Sequence, residues 1–307
     1  MSIPPQPWPT GLVDQVEPLV ARVLAPNPSP FTYTGTQTWL VGADDLAVID
    51  PGPADPAHLA ALTSAIGSRR VVAIMCTHTH RDHSPAAAPL AAATGAPIVG
   101  CAPLALADDV PRLDAAFDTS YAPDRVLVDG ETISGTGWTL TAVATPGHTS
   151  NHLCYALEES GALFTGDHVM GWATSVVVPP DGDMGDYLAS LALLYDREDR
   201  IYYPAHGPSV EKPRQLVRGM IGHRRARERQ IAKLLTSGIL PQAGTSGDNG
   251  MGSSPARGLG ISEMVPVMYK GVDERLWPAA GMSVLAHLID MERRGQVSRS
   301  GDLWSIS

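Results

Sequence analysis

At Val71 the sequence enters a compact apolar run, Val71–Cys76, and then Thr77-His78-Thr79-His80-Arg81-Asp82-His83-Ser84. Three imidazoles and a carboxylate within six residues pack poorly, because each buried ring nitrogen needs a partner. They suit a cation well. Imidazole nitrogens and carboxylate oxygens are preferred ligands of Zn²⁺, and they also serve Fe or Mn. In an extended loop, residues i and i+2 project to one side, so His78 and His80 can grip one ion. Asp82 and His83, expected at the start of an alanine-rich helix, can turn toward a second. Further candidates stand where other predicted strands stop. They are His148 in Thr145-Pro146-Gly147-His148-Thr149, Asp167 in Thr165-Gly166-Asp167-His168, and His206 in Tyr203-Pro204-Ala205-His206-Gly207. In each, a neighbouring glycine lets the backbone turn closely. Any one of them reads equally well as an ordinary loop residue; in this order, after the first cluster, they form a set.

The elements that must position these residues follow from the apolar pattern. Thr38–Val41 and Leu46–Ile49 read as paired strands, the second ending at Asp50-Pro51-Gly52. A helix is expected over Pro56–Ile66, then strands over Val71–Cys76 and Trp138–Ala144. His152–Leu157 and Ala162–Thr165 flank a hairpin turn at Glu158-Glu159-Ser160-Gly161, and Ile201–Tyr203 is a short strand stopped by Pro204. The first 30 residues, rich in proline, read as an irregular lead-in with one short amphipathic piece. Strands mixed with helices and hairpins indicate a mixed sheet covered by helices. Lys212–Leu235 has helical spacing, and Pro241–Gly258 is Gly/Ser-rich and expected to be a flexible, protease-sensitive loop. Helices over Ser262–Tyr269 and Leu276–Arg293, then a hairpin over Gln296–Arg299 and Asp302–Ile306, resemble a small winged-helix module. The chain divides on this reading into residues 1–222 and residues 223–307, with the separate module beginning at about 236.

Composition narrows the class. The 307 residues are 44% hydrophobic and 18% charged, which excludes a disordered, collagenous or coiled-coil chain. Residues 85–107 carry no charge, but Pro85, Pro89, Gly95, Pro97, Gly100 and Pro103 interrupt them. A helix, a turn and a short buried strand fit better there than a membrane span. No basic segment followed by an apolar run opens the sequence. Cys76, Cys101 and Cys154 are too scattered for a disulfide framework, so the expected location is the cytoplasm. Net charge is −10, unevenly spread. Residues 1–210 hold 8 Lys and Arg against 23 Asp and Glu, and residues 211–307 hold 14 against 9. Eight of the basic residues crowd into Lys212–Lys233. A solvated face docking on the acidic domain is favoured over a phosphate track.

His78-x-His80-x-Asp82-His83, followed by His148, Asp167 and His206, resembles the metallo-β-lactamase superfamily over about residues 32–210. Asp50-Pro51-Gly52 matches that family's Asp-x-Gly turn. The resemblance implies an α/β fold, an αββα sandwich with a two-metal site along one edge, here two zinc ions with Fe or Mn as alternatives. By the family pattern His78, His80 and His148 hold the first metal, Asp82, His83 and His206 the second, and Asp167 bridges both. Asp82 can orient or deprotonate the attacking water. Asp50 can accept a ligand imidazole N–H and fix its tautomer, or simply make its turn. His58, His152, His168 and His287 fall at positions the pattern leaves free or on predicted helices, and are taken as structural. Ser84 is assigned to a helix start, not to nucleophilic attack.

A narrower similarity, to the β-lactamase-like protein 2 subgroup, rests on several further stretches. They are Gly182-Asp183-Met184-Gly185-Asp186-Tyr187, His223-Arg224 with Arg227-Glu228-x-Gln230-Ile231, and Leu276-Trp277-Pro278-Ala279-Ala280 to His287-Leu288. That subgroup carries a C-terminal winged-helix domain and includes a single-strand endoribonuclease and polyketide thioesterases. Gln37, where many relatives have Asn, and the 241–258 insert are departures that bear on substrate.

Two cations ~3.5–4 Å apart bring water toward a neutral pKa and polarise a carbonyl or phosphoryl oxygen. Three activities remain: hydrolysis of a small ester, thioester or lactone; single-strand RNA cleavage; and β-lactam hydrolysis as a weak side activity. The first is preferred. RNA must approach a domain of charge −15, and only three Phe exist in the chain to form stacking platforms. A small molecule is therefore the expected partner and RNA the second choice. No membrane is expected as partner, and self-association into a homodimer is left open.

Overall fold

The computed structural model describes residues 9–105, 117–237 and 258–307. A first sheet is built from β1 (Val13–Glu17), β2 (Val20–Leu24), β3 (Gln37–Val41), β4 (Asp45–Ile49), β5 (Arg70–Cys76), β6 (Ile98–Gly100) and β7 (Arg125–Val126), in that order. Pairing is antiparallel from β1 to β4 and parallel from β4 to β7. The parallel crossovers carry α1 (Pro56–Ile66) and α2 (Ala87–Thr94). α1 starts where expected because Asp55 accepts the His58 N–H and Pro56 occupies its first turn. α2 starts later than expected: residues 81–86 form turns, so Asp82 and His83 sit ahead of the helix rather than in its first turn.

The second sheet has the order β12-β11-β10-β9-β8. Its strands are β8 (Thr132–Gly135), β9 (Trp138–Ala144), β10 (Leu153–Leu157), β11 (Ala162–Gly166) and β12 (Ile201–Pro204), with α3 (Met184–Asp196) between the last two. In β10 all five residues are buried, as a strand covered on both faces requires. Leu153, Tyr155 and Leu157 enter the core between the sheets. Cys154 and Ala156 face the opposite way and meet α3 and α4 (Pro213–Ser237). With α1 and α2 outside the first sheet, the layers are α, β, β, α, as the family resemblance implied.

The lead-in contradicts its expectation in part, since Val13–Leu24 forms the β1–β2 hairpin. Proline-rich flanks and a central Arg22 obscured a strand whose five residues are all buried. The Arg22 guanidinium is accommodated by Asp14 at 2.6 Å and Gln37 at 2.9 Å. α3 was not anticipated either. Its glycine and aspartate start hides a cap, for the Asp183 side chain accepts the Asp186 N–H.

The C-terminal module comprises β13 (Leu259–Gly260), α5 (Ile261–Met268), a 3₁₀ turn Glu274–Leu276, α6 (Trp277–Arg293), β14 (Val297–Ser300) and β15 (Leu303–Ile306). Its strands pair in the order β13-β15-β14. Leu259, Met264, Val284, Leu288 and Trp304 make its core together with Ile231 and Leu235 of α4. The 222/223 division therefore falls inside one continuous helix. The N-terminal half of that helix, through Val217 and Met220, feeds the outer core of the sandwich. The loop expected at 241–258 lies outside the described residues except for Gly258. Among the described residues, no helix is long and apolar enough to cross a membrane.

Candidate metal centre

Five strand ends deliver the polar residues to one edge of the sandwich. β5 is followed by His78 and His80, β9 by His148, β11 by Asp167, β12 by His206 and β4 by Asp50. The edges of the two sheets are pinned together there. Tyr155 donates its hydroxyl to the Cys76 carbonyl at 2.6 Å, and the Leu153 N–H reaches the Thr77 carbonyl at 2.8 Å. Gln37 donates from its amide to the carbonyls of Gly207 at 2.7 Å and Pro204 at 3.2 Å, holding the turn that carries His206. Two glycines are dictated by crowding. A Cβ on Gly147, at φ 134°, would stand 2.3 Å from the Tyr187 Cα on α3. One on Gly166, at φ 49°, would meet Thr77 Oγ1 and His152 Nε2, each at 2.7 Å.

All seven sequence candidates converge. Donor atoms of His78, His80, His148 and Asp167 lie within 4.8 Å of one another, and so do those of Asp82, His83 and His206. Four of the rings spend one nitrogen on the protein. His78 Nδ1 lies 3.0 Å from Thr77 Oγ1, whose own proton goes to Asp50 Oδ2 at 2.8 Å. His83 Nδ1 faces Asp50 Oδ2 at 3.0 Å, His148 Nδ1 the Val176 carbonyl at 2.6 Å, and His206 Nδ1 the Gly35 carbonyl at 3.3 Å. Each of these contacts occupies Nδ1 and turns Nε2 inward, at His78 and His148 as a lone pair.

Those inward nitrogens meet one another and two carboxylates. His78 Nε2 is 2.9 Å from His80 Nδ1, which is 3.2 Å from His148 Nε2. His206 Nε2 stands 3.2 Å from both Asp82 Oδ2 and Asp167 Oδ1. His83 Nε2 is buried without a hydrogen bond, 3.3 Å from Asp82 Oδ2 and 3.6 Å from Asp167 Oδ2. Lone pairs facing lone pairs around buried carboxylates are what a cation resolves, so the donor set fits two metal ions.

Without a cation the two groups of rings titrate in opposite directions. Burial, with the neighbouring imidazoles, holds His78 well below its ordinary pKa and brings His148 down to about 4. Burial opposes charge on His83 and His206 too, but the adjacent carboxylates prevail. His83 is raised well above its ordinary value and His206 to about 9. Asp82 and Asp167 remain well below the usual carboxylate range, since the attraction of His83 and His206 exceeds the cost of burial.

Asp50 is 1% exposed and binds the Thr77 N–H and hydroxyl as well as the His83 ring. Of the histidines set aside as structural, His152 accepts the Asp167 N–H at 3.3 Å and contacts Thr145 Oγ1 at 2.9 Å, so it supports the Asp167 turn. His58 meets Thr38 Oγ1 at 2.9 Å on α1. His168 packs under the same turn against the Tyr187 ring. His287 is buried on α6. Ser84 donates to Asp118 Oδ2 at 2.9 Å instead of starting the helix. The sequence gives no role to Thr77 or Ser175, and it marks Gln37 only as a departure bearing on substrate, whereas its amide holds the His206 turn.

A cavity of about 730 Å³ opens over the donors. Its walls include Phe31, Phe117, Met170, Val176, Val178 and Met282, the last contributed by α6. Asp82, with 26% of its side chain exposed, faces this space more than Asp167 does at 12%.

Residues 32–206 match the model of the metallo-beta-lactamase superfamily, and residues 261–304 that of the beta-lactamase associated winged helix domain. The chain is 31% identical over 263 residues to the atrochrysone carboxyl ACP thioesterase dmxR1 of Cryptosporiopsis sp., covering 84% of this chain and 74% of that protein. It is 29% identical over 303 residues to the beta-lactamase-like protein 2 homolog of Drosophila melanogaster, covering 92% and 91%. A beta-lactamase domain protein from Burkholderia ambifaria superposes with a TM-score of 0.76 at 18% identity, over 97% of this chain and 94% of that one. With the donor set, the four layers and the appended module all in register, the chain belongs to the metallo-β-lactamase superfamily, whose members are typically hydrolases.

Proposed function

We propose that the protein is a dinuclear zinc hydrolase cleaving a small thioester, ester or lactone, with thioesters of apolar acyl groups as preferred substrates. The observation that carries this reading is the character of the cavity over the metal centre. Apolar side chains from loops of both sheets and from α6 line it. Among the described residues, Arg81 is the only Lys or Arg in its lining. Such a slot desolvates an acyl group and leaves one cation at the mouth for a single anionic substituent. It offers little to a chain of phosphates, each of which seeks its own cation. The similarity to a protein named as an acyl carrier protein thioesterase supports the same substrate class.

When bound, two divalent ions supply Lewis acidity to the carbonyl and bring water at the site toward a neutral pKa. His78, His80, His148 and Asp167 would hold one ion, and Asp82, His83 and His206 the other, with Asp167 also within reach of the second. Phe117 and Phe31 seat the acyl group, and Phe117 stacks beside the His80 ring with centroids 4.7 Å apart. Asp82, steadied by the Thr36 hydroxyl at 3.2 Å, accepts a hydrogen bond from the attacking water and orients it. Its depressed pKa suits an acceptor rather than a store for the proton. The three free, buried cysteines support a reducing, cytoplasmic setting.

The test is a comparison of kcat/KM on one metal-assayed preparation for acyl thioesters of increasing apolar length, a lactone, a β-lactam and single-stranded RNA. Thioesters should lead, with kcat/KM rising with acyl length until the slot is filled. RNA cleavage that is faster than any thioester hydrolysis and falls steeply with salt would replace this reading with the nuclease one.

A further inference from the structure

The His223-Arg224 pair, one of the stretches shared with the narrower subgroup, has no part in the chemistry described so far. Arg224 sits in the middle of α4 and is 3% exposed, so it does not belong to the solvated basic face. Its guanidinium lies over the Tyr187 ring of α3, 5.1 Å from the centroid. One terminal nitrogen donates to the Ser175 carbonyl, and the other approaches Ser283 Oγ of α6 at 3.4 Å. Ser175 is itself buried, and its hydroxyl contacts the backbone carbonyls of Asp167 at 2.5 Å and His168 at 2.7 Å. One residue further along, the Val176 carbonyl accepts from His148 Nδ1.

We propose that Arg224 is a positioning residue for the metal centre. By pinning the Ser175–Val176 segment it fixes the tautomer and aim of His148 and the backbone beneath Asp167. The same guanidinium touches α6, so the seat of the C-terminal module and the geometry of the first ion's ligands are set by one side chain. Arginine suits the task because its planar fork serves two acceptors in different directions while its face stacks on a ring. Lysine has three donors on a single nitrogen but no planar fork and no face to stack on the ring.

The inference rests on the proposed metal centre, and the experiment separates the two. Co²⁺ is titrated by absorption, with a competing chelator, into the full chain and into Arg224→Met, Arg224→Lys, Ser175→Ala and Ser283→Ala. The unaltered protein should take up two equivalents; if it takes up none, the metal reading itself fails. Arg224→Met should weaken one equivalent by about 10–100-fold, the usual effect of removing a group that orients a ligand, and alter its visible absorption bands. Arg224→Lys should recover part of that loss. Ser175→Ala, which leaves the arginine packed, should weaken the same equivalent. Ser283→Ala, which touches only the module contact, should leave both equivalents unchanged. If two equivalents bind and Arg224→Met changes neither affinity nor spectrum, Arg224 merely packs α4 and the proposal is overturned, whatever Ser175→Ala does. Should Arg224→Met fail to fold, Arg224→Lys decides alone: a partial loss of one equivalent's affinity supports the proposal, and parent-like affinity and spectrum overturn it.

Discussion

Asp50 and Asp167 are both buried carboxylates at strand ends, yet their surroundings assign them different work. Asp167 offers oxygens to His206, His83 and the first cluster, whereas Asp50 is consumed by Thr77 and the outer nitrogen of His83. Asp167→Ala should therefore lose more metal, by elemental analysis, than Asp50→Ala. The latter should chiefly lower stability, by about 1–3 kcal/mol for each donor left unpaired; equal metal losses would contradict this ranking. The candidate ligands were legible because histidine and aspartate at strand ends are chemically distinctive. Thr77, Ser175 and Gln37 were not, because a hydroxyl or amide acquires meaning only from its partner. Those partners are distant in the chain: Gln37 serves carbonyls at 204 and 207, and Ser175 is covered by an arginine at 224.

Among the elements, strands β3–β5 and β9–β12 and helices α1, α4 and α6 followed from the apolar pattern. β1, β2 and α3 did not, because Arg22 breaks the alternation and Gly182–Gly185 looks like loop. α3 matters to the site because it closes against the turn bearing His148. Gly147→Ala places a methyl on the backbone of Tyr187 and demands an unfavourable φ of 134°. It should cost roughly 2–4 kcal/mol in urea unfolding, combining overpacking with backbone strain. Gly137→Ala has a φ of 76° with nothing within 4 Å of the added methyl and should cost only about 1 kcal/mol. Similar losses at both positions would show that the close approach of α3 is not what dictates Gly147.

At the scale of the whole molecule, α4 and α6 join two cores, and a titratable ring lies in the joint. His287 of α6 is 1% exposed, with neither ring nitrogen hydrogen-bonded. Burial, with Arg224, His223, Arg294 and Arg227 adding repulsion, takes its pKa down to about 3. The unfolded chain binds this proton below about pH 6.5, while the folded chain refuses it until about pH 3. The stability it contributes is therefore full above pH 6.5 and is lost as pH falls toward 3, at up to about 1.4 kcal/mol per unit. His287→Leu should flatten the stability–pH slope between pH 6 and 4 by close to one proton, read from urea midpoints across that range. An unchanged slope would place the acid sensitivity elsewhere.

The charge contrast between the two parts of the chain was legible in composition, but not its geometry. Arg224 turns inward to Ser175, and Arg227 lies 4.4 Å over the Tyr269 ring of the module. Two of the arginines that could have marked a phosphate track are thus engaged in joining the module to the sandwich. The central claim, that seven convergent donors hold two ions, is tested most directly by elemental analysis of the protein purified without added metal or chelator. Close to two transition-metal ions per chain, chiefly zinc, is the predicted result, with both lost in the His78→Ala/His206→Ala double variant while the fold persists by circular dichroism. A metal-free parent protein that also refuses zinc on titration would contradict it.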